Sequence, residues 1–153
     1  MVDISTVSIV LASTSVMAAA IYYILQIRHQ TKVRQTDLVT RLYSTYASLE
    51  FQEAWHKIYL TEFKDYDDFV EKFGGKRWPV LIFYEEVGVL LHRKLIDIGL
   101  VDDLLGNSIR QIWEKIRHVM EEARKRYDPR FYKYFEYLYN EMKKREQQQT
   151  KIQ

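Results

Sequence analysis

Residues 4–27, ISTVSIVLASTSVMAAAIYYILQI, carry no charged side chain over 24 positions. A helix of that length rises about 36 Å at about 1.5 Å per residue, enough to cross a hydrocarbon core of about 30 Å with some tilt. A secretory signal asks for a basic start and a shorter apolar run. This run follows Met1-Val2-Asp3 and continues past Ala18–Ala20, where cleavage would fall. The segment therefore predicts a single transmembrane helix.

Its flanks predict the orientation. Asp3 precedes the run, whereas Arg28, Lys32 and Arg34 follow it and Arg41 comes soon after. Basic residues beside a span stay on the cytoplasmic side. The expectation is a single-pass protein of the cell membrane, amino terminus outside and the remainder cytoplasmic. Arg28, Lys32, Arg34 and Arg41 are the candidate contacts for anionic lipid at that surface, each worth about 1 kcal/mol. Within the span, Ser5, Ser8, Ala12, Ser15 and Ala19 recur in steps of three and four, leading on to Tyr22 and Gln26. Small residues in such a stripe let two helices approach closely, so this is the candidate transmembrane packing face.

The rest of the chain reads as all-α. Only two prolines and five glycines occur, few for a chain built of strands and turns, and no segment alternates with period two. Ile109, Ile112, Trp113, Ile116, Met120, Ala123 and Tyr127 form one helical face, with Asn107 or Ser108 as its start and Gln111 completing a capping box. Asp128-Pro129 predicts the start of a last helix, which buries Phe131, Tyr134, Phe135, Leu138 and Met142. Upstream, the apolar seam rotates near Glu50, predicting a junction between helices. A short helix over 67–73 is closed by Gly74-Gly75. These spacings predict a bundle of about five helices. Residues 1–34 form the anchor and juxtamembrane segment, 35–145 the helical domain, and 146–153 a frayed tail with little to bury.

Residues 82–106, IFYEEVGVLLHRKLIDIGLVDDLLG, mix acids and a histidine into an apolar run. On a helix over 79–96, Glu85 and Glu86 project about 100° apart, so they cannot act as a carboxylate dyad. Glu85 and His92 fall in a secondary apolar seam with Gly88 between them. They are the candidate buried polar centre, Glu85 awaiting Arg117, Arg124 or a tyrosine hydroxyl as partner. Asp97-Ile98-Gly99 reads as the close of this helix, and 100–105 as a short turn ending at Gly106. Asp102 and Asp103 then read as exposed acids.

Charge is uneven: seven basic against twelve acidic side chains between 50 and 106, twelve basic against seven acidic from 107 on. Pairing between acidic and basic helices is the expectation, with a polarised docking surface as the alternative.

Several chemistries are disfavoured. The chain has no cysteine, which removes thiolate metal sites, disulfides and thiol catalysis. His29, His56, His92 and His118 form no HxxxH, HExxH or ExxH pair, so no metal is expected. DIGLVDDLLGNS places apolar residues where a calcium loop needs oxygen ligands. No GxSxG, GxGxxG or phosphate-binding loop occurs, and no cofactor is expected. RFYKYFEYLYNEMKKR interleaves aromatic and basic residues as nucleic-acid binders do, but its spacing suits packing better.

The stretch FYEEVGVLLHRKLIDIGLVDDLLGNSIRQIWEKI, with Glu85, Glu86, Gly88, Leu95-Ile96-Asp97, Val101, Gly106 and Trp113, resembles the family called domain of unknown function 4760 (DUF4760). FEYLYNEM over 135–142 resembles that family's closing helix. The resemblance covers about residues 38–142 and implies a small helical protein with an amino-terminal membrane segment; it carries no activity and no catalytic residue. The expected function is a non-enzymatic interaction or scaffolding module at the inner membrane face, binding a protein partner or a second copy of itself. An enzyme or defence-type effector with an acidic centre at Glu85 is the alternative, and nucleic-acid binding a second one.

Overall fold

A computed structural model describes residues 3–74 and 78–150, and these are all helices and short connections. Six helices follow in order: α1 Ile4–Tyr46, α2 Leu49–Leu60, α3 Tyr66–Phe73, α4 Pro79–His92, α5 Ile98–Arg126 and α6 Lys133–Thr150. The chain divides into two compact units, residues 1–37 and 38–153.

The first unit is the long amino-terminal part of α1. Among the described residues, α1 is the one helix long and apolar enough to cross a membrane. Its large apolar side chains are exposed around the whole circumference, Ile4 by 83% and Val16 by 70%. The hydroxyls of Ser8, Ser13, Thr14 and Ser15 each donate to the carbonyl four residues earlier, at 2.8–2.9 Å. These four hydroxyls are thereby satisfied within the helix.

The second unit holds one core, to which the end of α1 and helices α2–α6 all contribute. α1 stops at Tyr46, and Ser48 caps α2 by accepting from Phe51 N–H at 3.3 Å. The Gln52 side chain donates to the Tyr46 carbonyl at 2.6 Å, satisfying one of the acceptors that a helix end leaves open. The seam rotation near Glu50 is this break. α3 opens on Asp65 and closes on Gly74, which takes the left-handed φ of 77°; the second glycine expected there, Gly75, lies outside the described residues. Trp113 fills the centre, edge-on to Phe135 and fully enclosed. Tyr84 is also enclosed, its hydroxyl 2.5 Å from Ser108 Oγ. Burial pushes the Tyr84 hydroxyl well above the usual tyrosine pKa.

Three boundaries differ from the sequence expectation. α4 ends at His92, where Lys94 adopts φ 58° and Leu95 N–H reaches back to the Leu90 carbonyl at 2.9 Å. Asp97 therefore opens a helix instead of closing one, accepting from Leu100 N–H at 2.9 Å. α5 runs unbroken through Gly106, Asn107 and Ser108 for 29 residues. Asp128-Pro129 begins a turn, and α6 starts only at Lys133. α6 continues as far as Thr150, with Lys143 pairing Glu146 and Lys144 pairing Glu141. The last three residues lie outside the described residues.

Candidate functional site

α4 and α6 make the most extensive contact between helices, and the stripe Glu85–Gly88–His92 lies along it. At Gly88 the approach is close because no side chain intervenes: a Cβ there would sit 2.1 Å from the Tyr134 carbonyl oxygen. That proximity brings the first turn of α6 under Glu85. The Phe135 N–H donates to Glu85 Oε2 at 2.7 Å. This amide is the third of α6, one of four that no intrahelical acceptor can satisfy. Glu85 is thus the cap of a helix fifty residues away.

The electrostatics follow from position. Burial raises the Glu85 carboxyl above the usual carboxylate range, opposed by the Phe135 and Tyr134 amides and then by the charges of Arg124 and Lys133. Tyr132, at the entrance to α6, is pushed up to about 12 by burial and by the Glu85 charge. The partners expected for Glu85 are therefore corrected in part. Arg117 pairs with Glu121 instead. Arg124 acts through space while its own donors go elsewhere: to the Phe131 carbonyl at 2.8 Å, the Tyr132 carbonyl at 3.2 Å and Glu136 at 2.6 Å. Together Glu85 and Arg124 fix the turn in which Tyr132 takes φ 49°, a conformation costly for a non-glycine residue.

His92 is not part of a buried centre. It is exposed, its ring edge-on to Tyr134 and Tyr137 at 5.3 and 5.2 Å. Tyr132, Tyr137 and Tyr139 are all partly buried against the core. The four basic candidates Arg28, Lys32, Arg34 and Arg41 and the small-residue stripe from Ser5 to Ala19 all lie on α1 with exposed side chains. Among the described residues no three of His, Cys, Asp and Glu gather as a metal site would require.

A second polar cluster escaped the sequence reading. The Asp102 side chain is only 7% exposed, enclosed by Arg110 Nη1 at 3.1 Å and Arg145 Nε at 3.2 Å. Gly106 makes the room for it: a Cβ at 106 would sit 2.1 Å from Asp102 Oδ1 and 3.2 Å from Arg110 Nη1. The signal was the i, i+4, i+8 spacing of Asp102, Gly106 and Arg110, legible only once α5 is known to be continuous. Other acid–base pairs lie at the surface, among them Lys115 of α5 with Glu62 in the connection between α2 and α3, and Arg126 with Asp67 of α3. Asp102, Glu62 and Asp67 thus pair the acidic stretch with the basic one, while Arg117–Glu121 and Arg124–Glu136 lie within the basic stretch. Glu122 adds a second long-range cap, accepting from Tyr66 N–H at the start of α3 at 2.8 Å.

These carboxylates are occupied with amides, guanidinium groups and, at Glu62, an ammonium group. The arrangement fixes helices against one another. A family model described as Domain of unknown function (DUF4760) matches residues 11–142. The chain belongs to that family. The DUF4760 match begins inside the apolar run of α1, earlier than the resemblance read from the sequence, and ends at the last buried residue of α6, Met142. No curated protein and no solved structure matches the chain.

Proposed function

We propose that this chain is a single-pass membrane protein whose helical domain lies on the cytoplasmic side and serves as an interaction module. The observation that carries the anchor is the exposed apolar circumference of α1, combined with hydroxyls that bond only to their own helix. In water such a surface is costly, at about 25 cal/mol per Å² of apolar area; in lipid it is matched. The basic residues that follow it favour the cytoplasmic side for residues 28 onward. An interaction role is preferred to catalysis because Glu85, the one partly buried acid with a raised pKa in the central contact, is engaged as a helix cap.

The absence of native cysteine makes the test clean. Single Asp3→Cys and Gln148→Cys variants are labelled in sealed cells with a membrane-impermeant maleimide, after confirming that alkaline washing leaves the chain in the membrane fraction. Labelling at 3 and protection at 148 is the expected result. Release of the unlabelled chain without detergent refutes the anchor, and labelling at 148 alone reverses the orientation. For the interaction role, crosslinking in native membranes should give discrete adducts; its failure leaves that role without support.

A further inference from the structure

α1 carries one uninterrupted stripe along its length. Starting from Ser5 and Ser8 and stepping by seven, every position through Thr40 and Tyr43 is free of Asp, Glu, Lys and Arg. This holds even after the span, where His29, Val33, Thr36, Thr40 and Tyr43 continue the stripe between Arg28, Lys32, Arg34, Asp37 and Arg41. A repeat of seven with alternating steps of three and four is the period of a left-handed two-helix seam.

Two further observations bear on what meets this seam. The residues of α1 that enter the core of the second unit are Leu38, Val39, Leu42 and Tyr46. In the same repeat Leu38 and Leu42 lie away from the seam and Val39 and Tyr46 on one flank of it, while Thr40 and Tyr43 on the seam remain exposed. The charges are also sorted. Of the positions flanking the seam, only two hold charged residues, Lys32 on one side and Asp37 on the other. They are opposite in sign and five residues apart, the offset at which such flanking residues meet across two parallel helices. Arg28, Arg34 and Arg41, which would repel their equivalents, all sit off the flanks.

We infer that two copies of this chain associate in parallel through the α1 stripe, from the span to Tyr43, with Lys32 of each copy facing Asp37 of the other. The inference rests on the membrane reading above and names a second copy as the partner. Asp37 also interacts within its own chain; a carboxylate accepts several donors, so the two contacts are compatible.

Single cysteines in the full chain, oxidised gently in native membranes, test this. Val33→Cys and Thr40→Cys, on the seam, should form disulfide-linked dimers well above Thr31→Cys, which lies across the helix. Lys32→Glu in the Val33→Cys background should lower the linked fraction by roughly two- to fivefold, the range for turning an exposed ion pair into a repulsion. Adding Asp37→Lys should restore it. Equal linkage at 31 and 33, or no linkage at either, overturns the inference, as does a Lys32→Glu loss that Asp37→Lys does not reverse. Tryptophan fluorescence, from Trp55, Trp78 and Trp113 in the second unit, verifies that each variant is folded. Retention after alkaline washing with no preference for position 33 defeats self-association alone; release by the wash defeats the anchor itself.

Discussion

Glu85 and Phe135 meet at 2.7 Å, carboxylate to amide, so that an acid in the middle of α4 decides where α6 begins. Removing the acid and neutralising it are then different experiments. Glu85→Ala leaves buried amides without an acceptor and should cost about 1–2 kcal/mol. Glu85→Gln keeps an acceptor oxygen and should cost less than about 0.5 kcal/mol at neutral pH. Denaturant unfolding in detergent, followed by tryptophan fluorescence, separates the two; equal losses would argue against capping.

The same carboxyl has a sign in pH. Its pKa is higher in the folded chain than the ordinary value of 4.5, burial being the main cause. Its contribution is therefore fully present below that ordinary value and lost as pH rises through the raised folded one. The stability of the wild type relative to Glu85→Gln should increase as pH falls from neutral into this window. A difference flat with pH would show that the carboxyl does not titrate abnormally.

Gly88→Ala should be destabilising although alanine favours helix by about 1 kcal/mol. The added carbon meets the Tyr134 backbone at 2.1 Å, and backbone cannot rotate away. A net loss of about 1–3 kcal/mol is expected, the cost of overpacking. A thermal midpoint equal to or above the wild type would mean that α6 can retreat from α4 freely.

Gly106→Ala should behave as one half of a pair. Alone it presses on the Asp102 carboxylate and should cost about 1–2 kcal/mol; in an Asp102→Ala background the obstruction is gone and the same change should be neutral or favourable. A double-mutant cycle by chemical unfolding measures this coupling. Additive losses would place the two residues out of contact.

Arg124 and Lys125 are neighbours in sequence with different duties. Arg124→Ala strips two carbonyls and Glu136 of their donor and should cost about 1–3 kcal/mol. Lys125→Glu, on the exposed side, should change stability by less than about 0.5 kcal/mol. Partner binding is therefore best probed by charge reversal at 125, and comparable losses at both positions would contradict the assignment.

Helix faces were readable from the sequence and helix ends were less so. The Ile109–Ala123 face is buried as its period requires, because one apolar stripe leaves few ways to meet a core. Gly106 looked like a terminator because glycine usually is one; here it clears space for Asp102, a need set by Arg110 and Arg145 from two helices. Asp128-Pro129 carried a good local start signal, yet α6 begins four residues later, where Glu85 and Arg124 reach it. Glu85 was singled out by its place in an apolar seam, but its partner was an amide, which every residue owns and no sequence pattern marks. His92 shared that seam and still ended exposed, at the last residue of α4, with only its ring edge against Tyr134 and Tyr137.

Because α3 and α6 borrow their first acceptors from Glu122 and Glu85, neither helix carries complete instructions for its own beginning. Cut free from α4, a peptide over 127–150 has only its local signal to follow, so its first turn should shift back to Pro129. The start point of the closing helix is conditional, written on a different segment of the chain.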